Sequence, residues 1–190
     1  MEKNVTPILR NVFLGVLVLF LLLCLMAWIF SPYKDKVVSH VGIDMPCEAA
    51  FDYLGNSDNA SDWSSFVPYI ETINEDKVAD GMVGSKRKCY TEWEKEGFQW
   101  EEEVLERIED KYRKLSCYNY KNLWLRAPDL VTEQIYSQTD YGCKVSFTLD
   151  FMYKPSFWDL AKMKYSAFRI KSIFDKNLKN IKKEVYKRRP

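Results

Sequence analysis

Nineteen consecutive apolar residues, Val12–Phe30 (VFLGVLVLFLLLCLMAWIF), interrupted only by the small Gly15, constrain this chain more than any other feature. Such a run has no polar face to turn toward water. As an α-helix rising about 1.5 Å per residue it extends roughly 28 Å, close to the hydrocarbon thickness of a bilayer. Trp28 and Tyr33 stand at its distal end, where amphipathic rings favour the headgroup level, and Arg10 and Lys34/Lys36 bracket it. A cleaved signal peptide has a shorter apolar core, of about 7–15 residues, and a small-x-small site. Here the run leads into Ala27-Trp28-Ile29-Phe30-Ser31-Pro32, and Leu22 and Leu23 occupy the positions a lipoprotein signal at Cys24 would need small. The expectation is one transmembrane helix over about residues 11–30, with the lipid bilayer as its partner, and an N-terminal unit of residues 1–33. Orientation stays open, because Lys3 and Arg10 on one flank balance Lys34 and Lys36 on the other.

Residues 34–190 have the length of one domain. At 47% hydrophobic and 15% aromatic the chain is too apolar for intrinsic disorder. The net charge of +1 conceals an asymmetry: eleven basic against two acidic residues in 162–190, but seventeen against twenty-five before them. Nucleic-acid binding needs a basic face and is not expected. In the basic tail, Lys179, Lys182, Lys183, Lys187, Arg188 and Arg189 are candidates for anionic lipid headgroups, each contributing about 1 kcal/mol near a charged surface. The alternative for them is a solvated helix face.

Patterning divides the domain. A short strand, 36–43, precedes a helix with Asp44 as N-cap, Pro46 in its first turn and Gly55 as its stop. The Ser-, Asn- and Asp-rich stretch 56–65 around Trp63 reads as a loop or short second helix. Strands follow over 67–75, 83–93, 97–108, 112–121, 130–139 and 143–153, separated by Asp80-Gly81, Glu96-Gly97, Glu109-Asp110, Ala127-Pro128-Asp129 and Asp140-Tyr141-Gly142. Phe98, Trp100, Val104 and Ile108 share one parity, as do Val145, Phe147, Leu149 and Phe151, so the sheet is antiparallel with one wet and one buried face. Leu160, Met163, Ala167, Ile170, Phe174, Leu178, Ile181 and Val185 form the stripe of a long final helix. Phe157, Trp158, Ala161, Tyr165 and Phe168 widen it, and the apolar face of the sheet is the expected partner for the whole.

The ordered set Ile43-x-x-Pro46, Phe51 and Leu54, Trp63, Val67 and Ile70, Asp80-Gly81-x-x-Gly84 and the patterned last helix resembles the START-like superfamily, also called SRPBCC. That superfamily includes polyketide cyclases, lipid-transfer domains and plant-allergen-like proteins. The resemblance covers about residues 36–188 and implies an α+β helix-grip fold. In it a curved antiparallel sheet of about seven strands wraps a long C-terminal helix around a deep apolar cavity. An N-terminal membrane anchor before such a domain resembles a recurring bacterial arrangement.

The expected cavity wall is Trp63, Phe98, Trp100, Val145, Phe147, Phe151, Tyr165 and Phe168. The competing reading of each is ordinary core packing. Chemistry is sparsely supplied. The single histidine, His40, has outward parity; among Glu101, Glu102 and Glu103, only Glu102 shares the inward parity of Trp100 and Val104, as a base or as a bystander at the cavity mouth. No phosphate loop or nucleophile triad occurs, and no cofactor is expected. Cys47, Cys89, Cys117 and Cys143 are spaced for two disulfides or for free thiols rather than for a metal. These features point first to a membrane-anchored binding module for a hydrophobic small molecule such as a lipid, quinone or polyketide-like compound. The second reading is an accessory subunit of a membrane protein, with a filled cavity and Lys86, Lys88, Glu92, Glu101 and Glu103 as contact surface. The third is a cyclase-like enzyme.

Overall fold

The computed structural model describes residues 5–31, 34–123 and 130–187. It divides into two compact units, 1–33 and 34–190. The first contains one helix, α1 (Val5–Phe30), within which Leu9–Phe30 is long and apolar enough to cross a membrane.

The second unit runs β1 (Lys36–Ile43), α2 (Cys47–Gly55), a 3-10 turn (Ser57–Asn59), α3 (Ala60–Trp63), β2 (Tyr69–Thr72), β3 (Lys86–Tyr90), β4 (Gln99–Ile108), β5 (Tyr112–Lys121), β6 (Leu130–Thr139), β7 (Gly142–Asp150) and α4 (Phe157–Lys187). The seven strands form one antiparallel sheet in the order β1-β7-β6-β5-β4-β3-β2. With the long α4 across it, this is an α+β helix-grip fold. The turn Ala127-Pro128-Asp129 lies outside the described residues.

The domain is solid at one end. Phe51 and Leu54 of α2, Ile43 of β1, Tyr136 of β6, Val145 and Phe147 of β7, and Leu178, Ile181 and Val185 from the C-terminal half of α4 pack into one buried cluster. Cys47 and Cys143 are disulfide-bonded there, tying the start of α2 to β7 across 96 residues. Gly142 closes the β6–β7 hairpin at φ +128°, and a Cβ on it would stand 2.2 Å from the carbonyl oxygen of Ile43. Only glycine allows that approach.

Three local expectations change. Helix α2 begins at Cys47 with Pro46, not Asp44, at its N-cap: Pro46 is extended at ψ 146°, and its carbonyl accepts the first helical hydrogen bond, from the Ala50 N–H at 3.1 Å. In β4 the pairing slips between Val104 and Glu106, leaving Leu105 as the extra residue. Beyond this bulge the parity inverts: Ile108 is exposed, whereas Arg107 lies 4.8 Å from the ring centroid of Phe51. Finally, the sheet does not cover the widened part of α4. At about 100° per residue, Phe157, Trp158, Ala161, Tyr165 and Phe168 fall on the side of α4 opposite Met163, Phe174 and Ile181. Trp158 is 85% exposed, whereas Met163 is fully buried.

Candidate functional site

The other end of the domain is hollow. Between the inner faces of β3–β6 and the N-terminal half of α4 lies a cavity of about 330 Å³. Its wall is mostly apolar and has an aromatic side. Phe98 stacks on Trp100 at 4.9 Å and 24° between planes, Phe66 on Trp100 at 6.0 Å, and Tyr120 flanks Phe98 at 6.4 Å. The segment carrying Trp63 and Phe66 is held against α4 by polar ties. Asn177 Oδ1 accepts from the backbone N–H of Ser65 at 2.7 Å and from its hydroxyl at 2.8 Å, and Asn180 donates to the Trp63 carbonyl at 3.1 Å. A buried asparagine on the helix therefore sets the position of two cavity aromatics.

One ion pair interrupts the apolar surface. Arg87 Nε donates to Glu102 Oε2 at 2.9 Å, and the side chains are 10% and 12% exposed. Glu102 Oε1 also accepts from Trp100 Nε1 at 2.8 Å, with Cys117 Sγ at 3.8 Å, while Arg87 Nη1 donates to the Ser57 hydroxyl at 3.3 Å. Burial is the largest single influence on Arg87 and disfavours its cation, but the Glu102 carboxylate, joined by Cys89 and Asp80, raises the pKa above the usual arginine value. Cys89 and Cys117 line the same region as free buried thiols, both pushed well above the ordinary thiol pKa, chiefly by burial and next by Glu102. They are therefore thiols rather than thiolates at neutral pH. Glu102 is neither a free base nor a bystander at the mouth: its oxygens already accept three donors.

Of the expected wall residues, Trp63, Phe98, Trp100, Phe147 and Tyr165 line the cavity. Phe147 stands at the boundary with the solid end, with its ring 5.9 Å from Trp63 and 5.8 Å from Phe174. Val145 and Phe151 are fully buried away from the cavity, and Phe168 is 70% exposed on the outer side of α4. Lys179, Lys182, Lys183 and Lys187 are exposed along the C-terminal half of α4, while Arg188 and Arg189 lie outside the described residues. His40 is exposed on β1. Arg87 and Phe66 escaped sequence reasoning. The signal for Arg87 is its parity with Cys89, opposite to that of Lys86 and Lys88, inside a segment whose charge reads as surface.

No protein-family model matches this chain, and no curated protein sequence matches it either. Solved structures do. A protein from Mesorhizobium loti, 13% identical, superposes with a TM-score of 0.63 over 82% of this chain and 99% of its own. Ara h 8.0201, 9% identical, gives 0.55 over 80% of this chain and 97% of its own. DynU16, from the dynemicin biosynthetic locus, is also 9% identical and gives 0.59 over 83% of this chain but 49% of its own. The described residues of the second unit thus share the helix-grip fold of these solved structures.

Proposed function

We propose that this chain is a membrane-anchored binding module whose cavity takes one hydrophobic small molecule carrying a single polar group. The observation that carries this reading is the 330 Å³ space between sheet and helix, with an aromatic stack on one wall and one ion pair on its surface. That volume is at the small end of the roughly 300–1,000 Å³ of small-molecule sites. It suits a single chain or ring system, such as the head of a quinone or a polyketide-like compound, better than a two-chain lipid. Flat groups would lie along Phe66, Phe98 and Trp100, and an oxygen of the ligand would meet Arg87. The helix Leu9–Phe30 would hold the cavity beside the membrane in which such molecules dissolve. The Cys47–Cys143 bond supports a domain on the oxidising side of that membrane. Labelling intact cells with a membrane-impermeant protease checks the side, since only an outward domain is cut.

The direct test is native mass spectrometry of the full chain released from lipid nanodiscs, with organic extraction of anything retained. A stoichiometric small-molecule adduct is expected. A bare protein mass would instead favour the accessory-subunit reading.

A further inference from the structure

The N-terminal half of α4 is apolar on two opposite sides, and only one of them is used by the domain. Met163 is fully buried, whereas the outward Phe157, Trp158 and Phe168 are 65%, 85% and 70% exposed. Met152, just before the helix, is 64% exposed. Large apolar side chains gathered on a water-facing surface mark a contact with something apolar, and Trp and Phe beside lysines are the composition of the bilayer interface. The charge here is one-sided. Residues 151–174 contain Lys154, Lys162, Lys164, Arg169 and Lys171 against the single acid Asp159.

The course of the chain points to the same occupant. Phe151 donates its N–H to the Asp35 carbonyl at 3.0 Å, so the point where the N-terminal segment enters the domain adjoins the segment leading into α4. Only residues 31–34 separate Phe30 from Asp35, a reach of at most about 18 Å when fully extended. We infer that the outer face of Phe157, Trp158 and Phe168, with Met152, is a docking surface for an anionic bilayer, seated at the headgroup boundary. The tether part of this inference rests on the anchor reading above; the exposed face does not. Tyr165 and Arg169 both line the cavity and are exposed, so its mouth borders this face. Docking therefore turns the mouth toward lipid, the route by which a membrane-dissolved ligand enters. The membrane-facing end of α4 is then its aromatic N-terminal half, not the lysine-rich C-terminal half.

The test uses full-length protein in phosphatidylcholine–phosphatidylglycerol nanodiscs with bromine on the acyl chains, a contact quencher of indole. The fluorescence of each tryptophan is obtained by difference, using Trp158→Phe, Trp93→Phe and Trp28→Phe. Trp93 is a solvent reference, 67% exposed on the segment between β3 and β4. The Trp158 component is expected to lose most of its intensity in brominated discs while the Trp93 component keeps its own. Replacing Phe157 and Phe168 together by Ser is expected to restore the Trp158 component. Equal brightness of Trp158 and Trp93 overturns the docking surface. If the Trp28 component is quenched in that case, the anchor survives; if it is not, the anchor falls as well.

Discussion

Arg87 and Glu102 are each tolerable inside the domain only because of the other. Removing one partner of a buried pair leaves an uncompensated charge and costs about 3–5 kcal/mol, whereas replacing both with apolar residues of similar size is often neutral. Arg87→Met is therefore expected to lower the denaturant midpoint sharply. Adding Glu102→Leu to it should recover most of the loss, which equilibrium unfolding of the three variants measures. Arg113 has a different environment. It is 2% exposed, 4.3 Å from the Phe51 centroid, and donates to Gln134 at 2.9 Å and to the Phe51 carbonyl at 3.4 Å. Burial holds its pKa below the usual arginine value. A Cβ on Gly55 would come within 2.3 Å of its guanidinium, so Gly55→Ala displaces a buried cation. The same unfolding measurement should show a loss of about 1–3 kcal/mol.

On the outer face Glu133 is held down to about 2, first by its hydrogen bond from Lys36 and also by those from Thr148 and Tyr112. A carboxylate depressed in the folded state stabilises the fold above its unfolded pKa. That stability is lost as pH falls from about 4.5 toward 2. Lys36→Met removes the largest cause, so it should lower stability at neutral pH and progressively less as pH falls toward 2, flattening the acid limb of the stability–pH curve, which urea unfolding at a series of pH values measures.

Among the elements, α2 and β7 are joined covalently by the Cys47–Cys143 disulfide. Closing 96 residues removes unfolded-state entropy worth about 4–5 kcal/mol in the chain-entropy account. Replacing Cys47 and Cys143 together by Ala should lower stability by an amount of that order, and addition of reductant should do the same to the parent. Strand β7 was legible in the sequence because its alternation is uninterrupted: Val145, Phe147 and Leu149 are all buried, as their parity requires. Strand β4 was legible only as far as Val104. A bulge adds one residue without changing composition, so nothing in the local pattern announced that Ile108 would turn out and Arg107 in. Helix α4 was legible as a helix but not in its partners. Hydrophobicity identifies which residues avoid water, not what covers them, so the pattern alone gives Phe157, Trp158 and Phe168 the sheet as partner, although all three are exposed.

At the scale of the whole molecule, the domain has a solid end built by α2, β1, β7 and the C-terminal half of α4, and a hollow end built by β3–β6 and the N-terminal half of α4. The order of elements was readable, because hydrophobic period and turn residues are local properties. The hollow was not. A cavity is the difference between what the elements enclose and what their side chains fill, and that difference depends on how far apart the elements stand. Trp63, Phe98 and Trp100 line it, while Val145, of equally apolar character and inward parity, packs solidly a short way along the sheet.

The central claim is that this space holds one small apolar ligand, and a plug tests it. Thr132 on β6 lines the cavity and is partly buried. Thr132→Trp would fill much of the space from a strand whose outer face is unchanged. Native mass spectra of parent and variant, both full length, released from nanodiscs and matched in thermal midpoint, give the comparison. The account predicts a small-molecule adduct on the parent that disappears from the variant. An adduct retained by the plugged protein, or a parent that carries nothing, would contradict it.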